Sequence, residues 1–158
     1  MQKGIVIDLY IAPNTDGAVQ AQTSVQLLPG QGIIGDRYFL AQSSLALASQ
    51  PLRKEDITLI SAEELNTFNT RFGLNIPLGE FRRNIVTSGA DLNRLVGKTF
   101  RLGTALCVGV ELCEPCSKLA RSVHSLVLPH LVRRAGIRAA VLEAGEVKCN
   151  DWIEEVPN

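Results

Sequence analysis

The chain carries no excess charge of either sign. Its sixteen Lys and Arg balance sixteen Asp and Glu, so no global field draws it to nucleic acid or to an anionic lipid surface. It also lacks any apolar run near the roughly 18 residues that a membrane span needs. The first residues contain no basic stretch followed by an apolar core, which argues against a signal peptide. These absences predict a cytoplasmic protein with neither nucleic acid nor membrane among its partners.

Cysteine is scarce too. Four residues, Cys107, Cys113, Cys116 and Cys149, are too few in a chain of this size for a disulfide scaffold, so a reducing compartment with at least one working thiol is expected. A structural zinc site asks for about four Cys or His ligands at short spacings. Here His124 and His130 stand six apart, which puts them on different faces of a regular helix. The glycine-rich segment Gly30-Gln31-Gly32-Ile33-Ile34-Gly35 fits neither the dinucleotide nor the Walker pattern and reads as a loop. With no repeat, low-complexity stretch or linker, residues 1–158 read as one domain.

What remains is a series of short β-like runs. Residues 3–11, 24–28, 56–60, 81–87, 99–102, 105–113 and 137–143 carry strand character. A further stretch at 147–156 closes the series around Ala144-Gly145. Residues 42–53 have no clean period and read as loop or irregular edge. In residues 105–113 the apolar set Leu106, Val108, Val110 and Leu112 is predicted to enter the core, with Cys107, Glu111 and Cys113 on the other face. A capping box at Ser61-Ala62-Glu63-Glu64 predicts a helix to about Arg71, stopped by Gly73. A second helix is expected over 117–135, broken or kinked at Pro129. Many strands with two helices predict a mainly β fold: a barrel core with flanking helices.

The densest chemistry is Cys113-Glu114-Pro115-Cys116 at a strand-to-helix junction. Unpaired N–H groups and the dipole at a helix start favour a thiolate, the form that attacks sulfur and binds soft metals. A Cys-x-x-Cys pair has three ordinary explanations: half of a zinc site, a dithiol redox pair using Cys113 and Cys116, or two unrelated cysteines. Cys116 stands nearer the helix start and Pro115 suits the entry turn, so a single reactive thiol at Cys116, with Cys113 secondary, fits best.

The second constellation is Phe81-Arg82-Arg83-Asn84-Ile85, where guanidinium groups can bind a phosphate and Asn adds a donor and an acceptor. A solvated edge strand explains it as well. The third, Gly35-Asp36-Arg37, reads either as a local salt bridge or as a loop folded over the cysteine pocket.

In this order the motifs resemble the MOSC domain, named for the C-terminal domain of molybdenum cofactor sulfurase. They are Gly35-Asp36-Arg37, Phe81-Arg82-Arg83-Asn84-Ile85-Val86-Thr87, the run from Leu92 through Leu95-Val96-Gly97-Lys98 to Gly103, Cys113-Glu114-Pro115-Cys116, and the run from Gly136 to Gly145. The resemblance covers nearly the whole chain and is to a small stand-alone prokaryotic member. It implies a closed, strongly bent β-barrel of the kind also seen in the β-barrel domain of pyruvate kinase.

The resemblance further implies that Cys116 is the signature cysteine, which ligates molybdenum in cofactor-binding relatives and is proposed to carry a persulfide in sulfur-transfer members. By the same match Arg37, Arg82 and Asn84 hold the pterin's phosphate and polar edges, with Arg83, Asp36 and Cys113 as further candidates. The implied cofactor is molybdenum cofactor (molybdopterin); no pyridoxal phosphate follows, because no desulfurase domain is present. Implied activities are sulfur transfer or molybdenum-dependent reduction of N-hydroxylated compounds. Implied partners are a cysteine desulfurase or molybdoenzyme-maturation proteins, and a small anionic ligand. A non-catalytic module binding that anion is the remaining alternative. Tyr38 departs from the family, where His is common, and Asn150 stands where Gly is common.

Overall fold

Strand β1 (Lys3–Ile11) shows how the sequence builds the core. Gly4 and Val6 face inward, a register shift against a neighbouring strand falls between Val6 and Asp8, and Leu9 and Ile11 then take over the inward positions. A bulge inserts one residue, so it resets the two-residue alternation and bends the strand. The same device recurs where curvature is needed to close a sheet.

The computed structural model describes residues 2–40 and 52–157; most of the irregular stretch expected at 42–53 lies outside them. The strands are β1, β2 (Gln20–Gln22), β3 (Ser24–Leu28), β4 (Gly32–Ile33), β5 (Ile57–Ser61), β6 (Ile85–Ser88), β7 (Thr99–Leu102), β8 (Ala105–Leu112), β9 (Ile137–Glu143), β10 (Gly145–Lys148) and β11 (Trp152–Glu155). The helices are α1 (Arg37–Leu40), α2 (Ala62–Phe72), α3 (Ser117–Ser122) and α4 (Val127–His130), with 3-10 turns at Leu78–Phe81 and Leu92–Leu95.

The order β11-β7-β8-β9-β5-β6-β1 is closed by the pairing of β1 with β11, giving a seven-stranded barrel; β2 extends β1. Within that barrel β5 and β6 run parallel and the other pairs antiparallel. Strands β10, β3 and β4 form a second, small sheet. Closure removes the unpaired edges that an open sheet of this size would present.

Two cores result. One fills the barrel, with Val6, Leu9, Ile57, Leu59, Ile85, Phe100, Leu102 and Ile137 among its buried members. The other lies outside it, where Ile60 of β5 and Val86 of β6 meet Leu65 and Phe68 of α2, Leu119 of α3 and Val127 of α4. Among the described residues no helix is long and apolar enough to cross a membrane.

Several expectations are corrected. In β8 the inward residues are Ala105, Cys107 and Gly109, while Leu106, Val108 and Val110 are half-buried outside. The alternation holds but its sense is inverted. At Gly109 the carbonyl of Leu95 occupies the space a Cβ would need, so the crowded interior there takes small side chains. A second shift between Gly109 and Glu111 then turns Leu112 toward the barrel core.

The helix expected over 117–135 is two short ones, and the break falls at 123–126 rather than at Pro129. Pro129 sits within the first turn of α4, where its missing N–H has no intrahelical partner to lose. Residues 82–84 are not strand: Arg82 closes a 3-10 turn in the left-handed region (φ 61°). The stretch 147–156 splits into β10 and β11 at Asn150, also left-handed (φ 77°). The glycine-rich loop contains β4. Finally, the capping box does not form: the Ser61 hydroxyl bonds Glu63 (3.1 Å), whose carboxylate accepts from the Gly89 N–H (3.2 Å).

Candidate functional site

The barrel delivers the three sequence motifs to one pocket. At the end of β1, Ala12 is gripped twice: its N–H donates to Asp36 Oδ1 (2.9 Å), and its carbonyl accepts from the Arg37 N–H (3.0 Å). Gly35, at φ 93°, permits the turn. Buried Asp36 thereby fixes where α1 begins, and so where Arg37 projects. The guanidinium of Arg37 lies over the Tyr38 ring, 4.4 Å from its centroid. Asp36 and Arg37 form no ion pair with each other among the described residues, so the local-salt-bridge reading has no support.

The Arg82-Arg83-Asn84 segment divides its labour. Arg82 donates to the carbonyls of Gly17 (2.6 Å) and Thr15 (3.1 Å), and so braces the loop after β1. Asn84 is buried and ties two strands, β5 and β1, together: its Oδ1 accepts from the N–H and hydroxyl of Thr58 (3.0 and 3.1 Å), and its Nδ2 donates to Tyr10 O (3.2 Å). Arg83 donates from Nε to Ala135 O (3.0 Å) and reaches Cys113 O at 3.4 Å. Burial holds its guanidinium below the ordinary range; Cys113 opposes this, Arg138 adds to it, and Cys116 opposes it.

The two thiols of the dyad differ. Cys113 is buried and its N–H is anchored on Gly136 O (2.8 Å); Cys116 is exposed and occupies the position just before α3. Elsewhere Cys107 lies inside the barrel, where burial pushes its thiol far above the ordinary cysteine range. Cys149 is half-buried, and burial together with Asp8 raises its thiol as well. Thiolate fraction and access set alkylation rate. Iodoacetamide should therefore label native Cys116 first, by roughly tenfold or more over the others, and reach Cys107 and Cys113 only on unfolding. Peptide mapping by mass spectrometry reads this out.

Cys116 opens into a cavity of about 510 Å³ shared with Arg37, Arg82, Arg83, Arg138 and Lys118. A recess of about 40 Å³ beneath it is lined by Asp36, Asn84 and Cys113, again with the arginines. All seven sequence-nominated residues thus converge. Of the cations, Lys118 is paired with Asp16 (3.2 Å) and Arg138 with Glu111 (3.8 Å). Among the described residues Arg37, Arg82 and Arg83 have no carboxylate within 4.0 Å. An electropositive, partly desolvated cavity with an accessible thiol at its edge suits an anion that reacts with, or coordinates, sulfur.

Arg138 and Lys118 were missed in the sequence. Arg138 gave a usable signal: it is the one charged residue between Ile137 and Ala139 of β9, both inward-facing, so it must leave the barrel on the side of the Cys113 segment. Lys118 gave none beyond standing two residues after Cys116. Among the described residues no three of His, Cys, Asp and Glu cluster as a metal site.

A family model described as "MOSC domain" matches residues 37–154. Among solved structures, the YuaD protein of Bacillus subtilis is 21% identical, with TM-score 0.80, over 99% of this chain and 97% of that one. YiiM of Escherichia coli is 19% identical, with TM-score 0.67, over 100% of this chain and 71% of its own. YiiM of Geobacillus stearothermophilus is 19% identical, with TM-score 0.62, over 98% and 73%. These three likenesses establish the fold. No curated protein matches the sequence significantly.

Proposed function

The chain belongs to the MOSC domain family, and on that premise we propose that its cationic pocket binds molybdenum cofactor, with Cys116 presenting a thiolate to the metal. The observation that supports this is the exposed Cys116 thiol at the edge of a cavity where Arg37, Arg82 and Arg83 have no carboxylate within 4.0 Å among the described residues. A carrier of bare sulfur has no need of such a cavity; a phosphorylated pterin does.

The donor set fits the group. The chain offers one soft ligand, Cys116, and no cluster of further ligands among the described residues, which suits a metal that arrives with its own sulfur donors and not a naked ion. Arg37 and Arg83 would hold the anionic phosphate, with Arg138 beside them, and the Arg82-braced loop would form a wall. When bound, the cofactor supplies a metal centre for oxygen or electron exchange with a substrate such as an N-hydroxylated compound. The protein would orient that centre, desolvate the phosphate and offer the accessible Cys116 sulfur as a soft ligand. A reducing compartment such as the cytoplasm suits the reading, because Cys116 must stay unoxidised.

Sulfur carriage is the second reading, and the inequality of the two thiols favours it over disulfide cycling. Cys116 thiolate would attack the terminal sulfur of a donor persulfide, such as that of a cysteine desulfurase. The donor thiolate leaves, and Cys116 holds the sulfane sulfur for an acceptor. Buried Cys113 is poorly placed to intercept it as a disulfide.

Elemental analysis and intact mass of protein purified without reductant, from cells that make molybdoenzymes, decide between these. Stoichiometric molybdenum that disappears in Cys116→Ser is the expected result. An adduct of about 32 Da on Cys116 without molybdenum would select sulfur carriage. Neither signal would refute both.

A further inference from the structure

Of the two residues between the cysteines, the first has a bond that the pocket itself does not explain. Glu114 turns away from the cavity, and its Oε1 accepts a 2.7 Å hydrogen bond from the Arg133 N–H. Arg133 is one of three non-glycine residues at positive φ among those described, at 62°. A side chain in that region costs energy and persists where its surroundings hold it. Its other flank is held as well, since Arg133 O accepts from Asn93 Nδ2 at 2.8 Å. The two peptides flanking the Arg133 Cα are therefore each held, by side chains 19 and 40 residues away in sequence.

Two residues just after this clamp, Ala135 and Gly136, serve the cysteine pocket directly. Ala135 O receives Arg83 Nε (3.0 Å), and Gly136 O receives the Cys113 N–H (2.8 Å). Cys113 O in turn receives Arg83 (3.4 Å). A closed circuit runs from Glu114 to the Arg133 peptide, along the backbone to Ala135 and Gly136, across to Arg83 and Cys113, and back to Glu114. Among the described residues Arg83 has no carboxylate within 4.0 Å, so the carbonyls of Ala135, Cys113 and Phe81 set its direction.

We infer that Glu114 is a positioning residue: its hydrogen bond to the Arg133 N–H holds residues 133–136 where they aim Arg83 into the Cys116 pocket. The inference rests on the reading of that pocket as an anion site. What Glu114 contributes is an acceptor oxygen, not its charge; its negative charge lowers the potential beside Cys116 and works against an incoming anion. Glutamine in its place keeps the acceptor and removes the charge, whereas alanine removes both.

The test uses the full chain, free of metal, and inorganic phosphate as the probe. At fixed pH, phosphate is titrated against the rate of Cys116 alkylation, with phosphate affinity also read by calorimetry and folding by thermal melting. Wild type and Glu114→Gln should be protected alike, or Gln better. Glu114→Ala should need roughly three- to tenfold more phosphate, because Arg83 is loosened but not removed, a loss on the scale of one ordinary hydrogen bond. Asn93→Ala, which touches the clamp from the far side and leaves the charge near Cys116 intact, should weaken phosphate in the same direction with the alkylation rate in its absence unchanged.

If Glu114→Ala and Glu114→Gln behave alike, the carboxylate acts only through charge and the positioning role is refuted while the anion pocket stands. Equal weakening by both variants in proportion to lost melting temperature would likewise refute it, as a merely structural effect. Absence of phosphate protection in the wild type would overturn the pocket reading and the inference with it.

Discussion

Gly136→Ala is expected to leave little native protein. At φ 91° the backbone lies where L side chains rarely go, and an added Cβ would overlap the carbonyl oxygen of Leu59 in the neighbouring strand β5. That oxygen belongs to backbone locked in two strand pairings, with β6 on one side and β9 on the other. It cannot retreat as the tip of a flexible side chain can. Positive φ and overlap together should cost about 4 kcal/mol or more, a large part of a typical domain's whole stability of about 5–15 kcal/mol.

Gly73→Ala supplies the comparison. It too is left-handed (φ 64°), at the end of α2, but a Cβ there meets nothing within 4 Å. Its cost should be about 1 kcal/mol, from conformation alone. Urea unfolding of both variants measures the difference. Similar losses would show that the β5–β9 seam yields more readily than its hydrogen-bond pattern indicates. Because Gly136 also anchors Cys113, any folded Gly136→Ala protein should bind phosphate poorly as well.

The second large effect is on binding. Arg83→Met should weaken inorganic phosphate roughly ten- to hundredfold, since a hydrogen bond to a charged group contributes about 1.5–3 kcal/mol. Methionine keeps much of the aliphatic volume and removes a guanidinium that burial already disfavours. Relief of that burial offsets part of the loss of donors to Ala135, Phe81 and Cys113, so stability should fall by only about 1 kcal/mol. Calorimetric titration with urea unfolding separates the two quantities. Phosphate should also raise the melting temperature of the wild type but not of the variant, by mass action on the native state. Unchanged phosphate affinity would place the anion away from Arg83.

The residues that could be found in the sequence are those whose local chemistry has one outlet. Gly73 after an amphipathic helix, the strand character of β1, and the two Cys at a strand-to-helix junction each encode their structure within a few neighbours. What stayed hidden depends on distant parts of the chain. Which face of β8 points inward is decided by the Leu95 carbonyl against Gly109, and side-chain size alone suggests the opposite. Arg82 and Arg83 read as equivalent cations, yet one braces a loop through Gly17 and the other is aimed by Ala135. Asn84 reads as a ligand and is engaged by Thr58 and Tyr10. The Glu114 bond to Arg133 has no sequence signal, because the left-handed turn it supports falls at an arginine and not at a glycine.

The seam of the barrel has a consequence for how the protein comes to exist. Lys3 pairs with Glu154 and Ile5 with Trp152, so β1 waits for β11, synthesised much later, before the cylinder can shut. Until then the sheet is an open ribbon with two bare edges. Cys113 and Cys116 are synthesised well before β11, and spend that interval beside strands that are not yet closed. A fold dominated by such distant pairings forms slowly compared with helical proteins of equal length. The thiol site is therefore complete only once β11 has been made, and a nascent chain stalled short of Trp152 should be a target for chaperones.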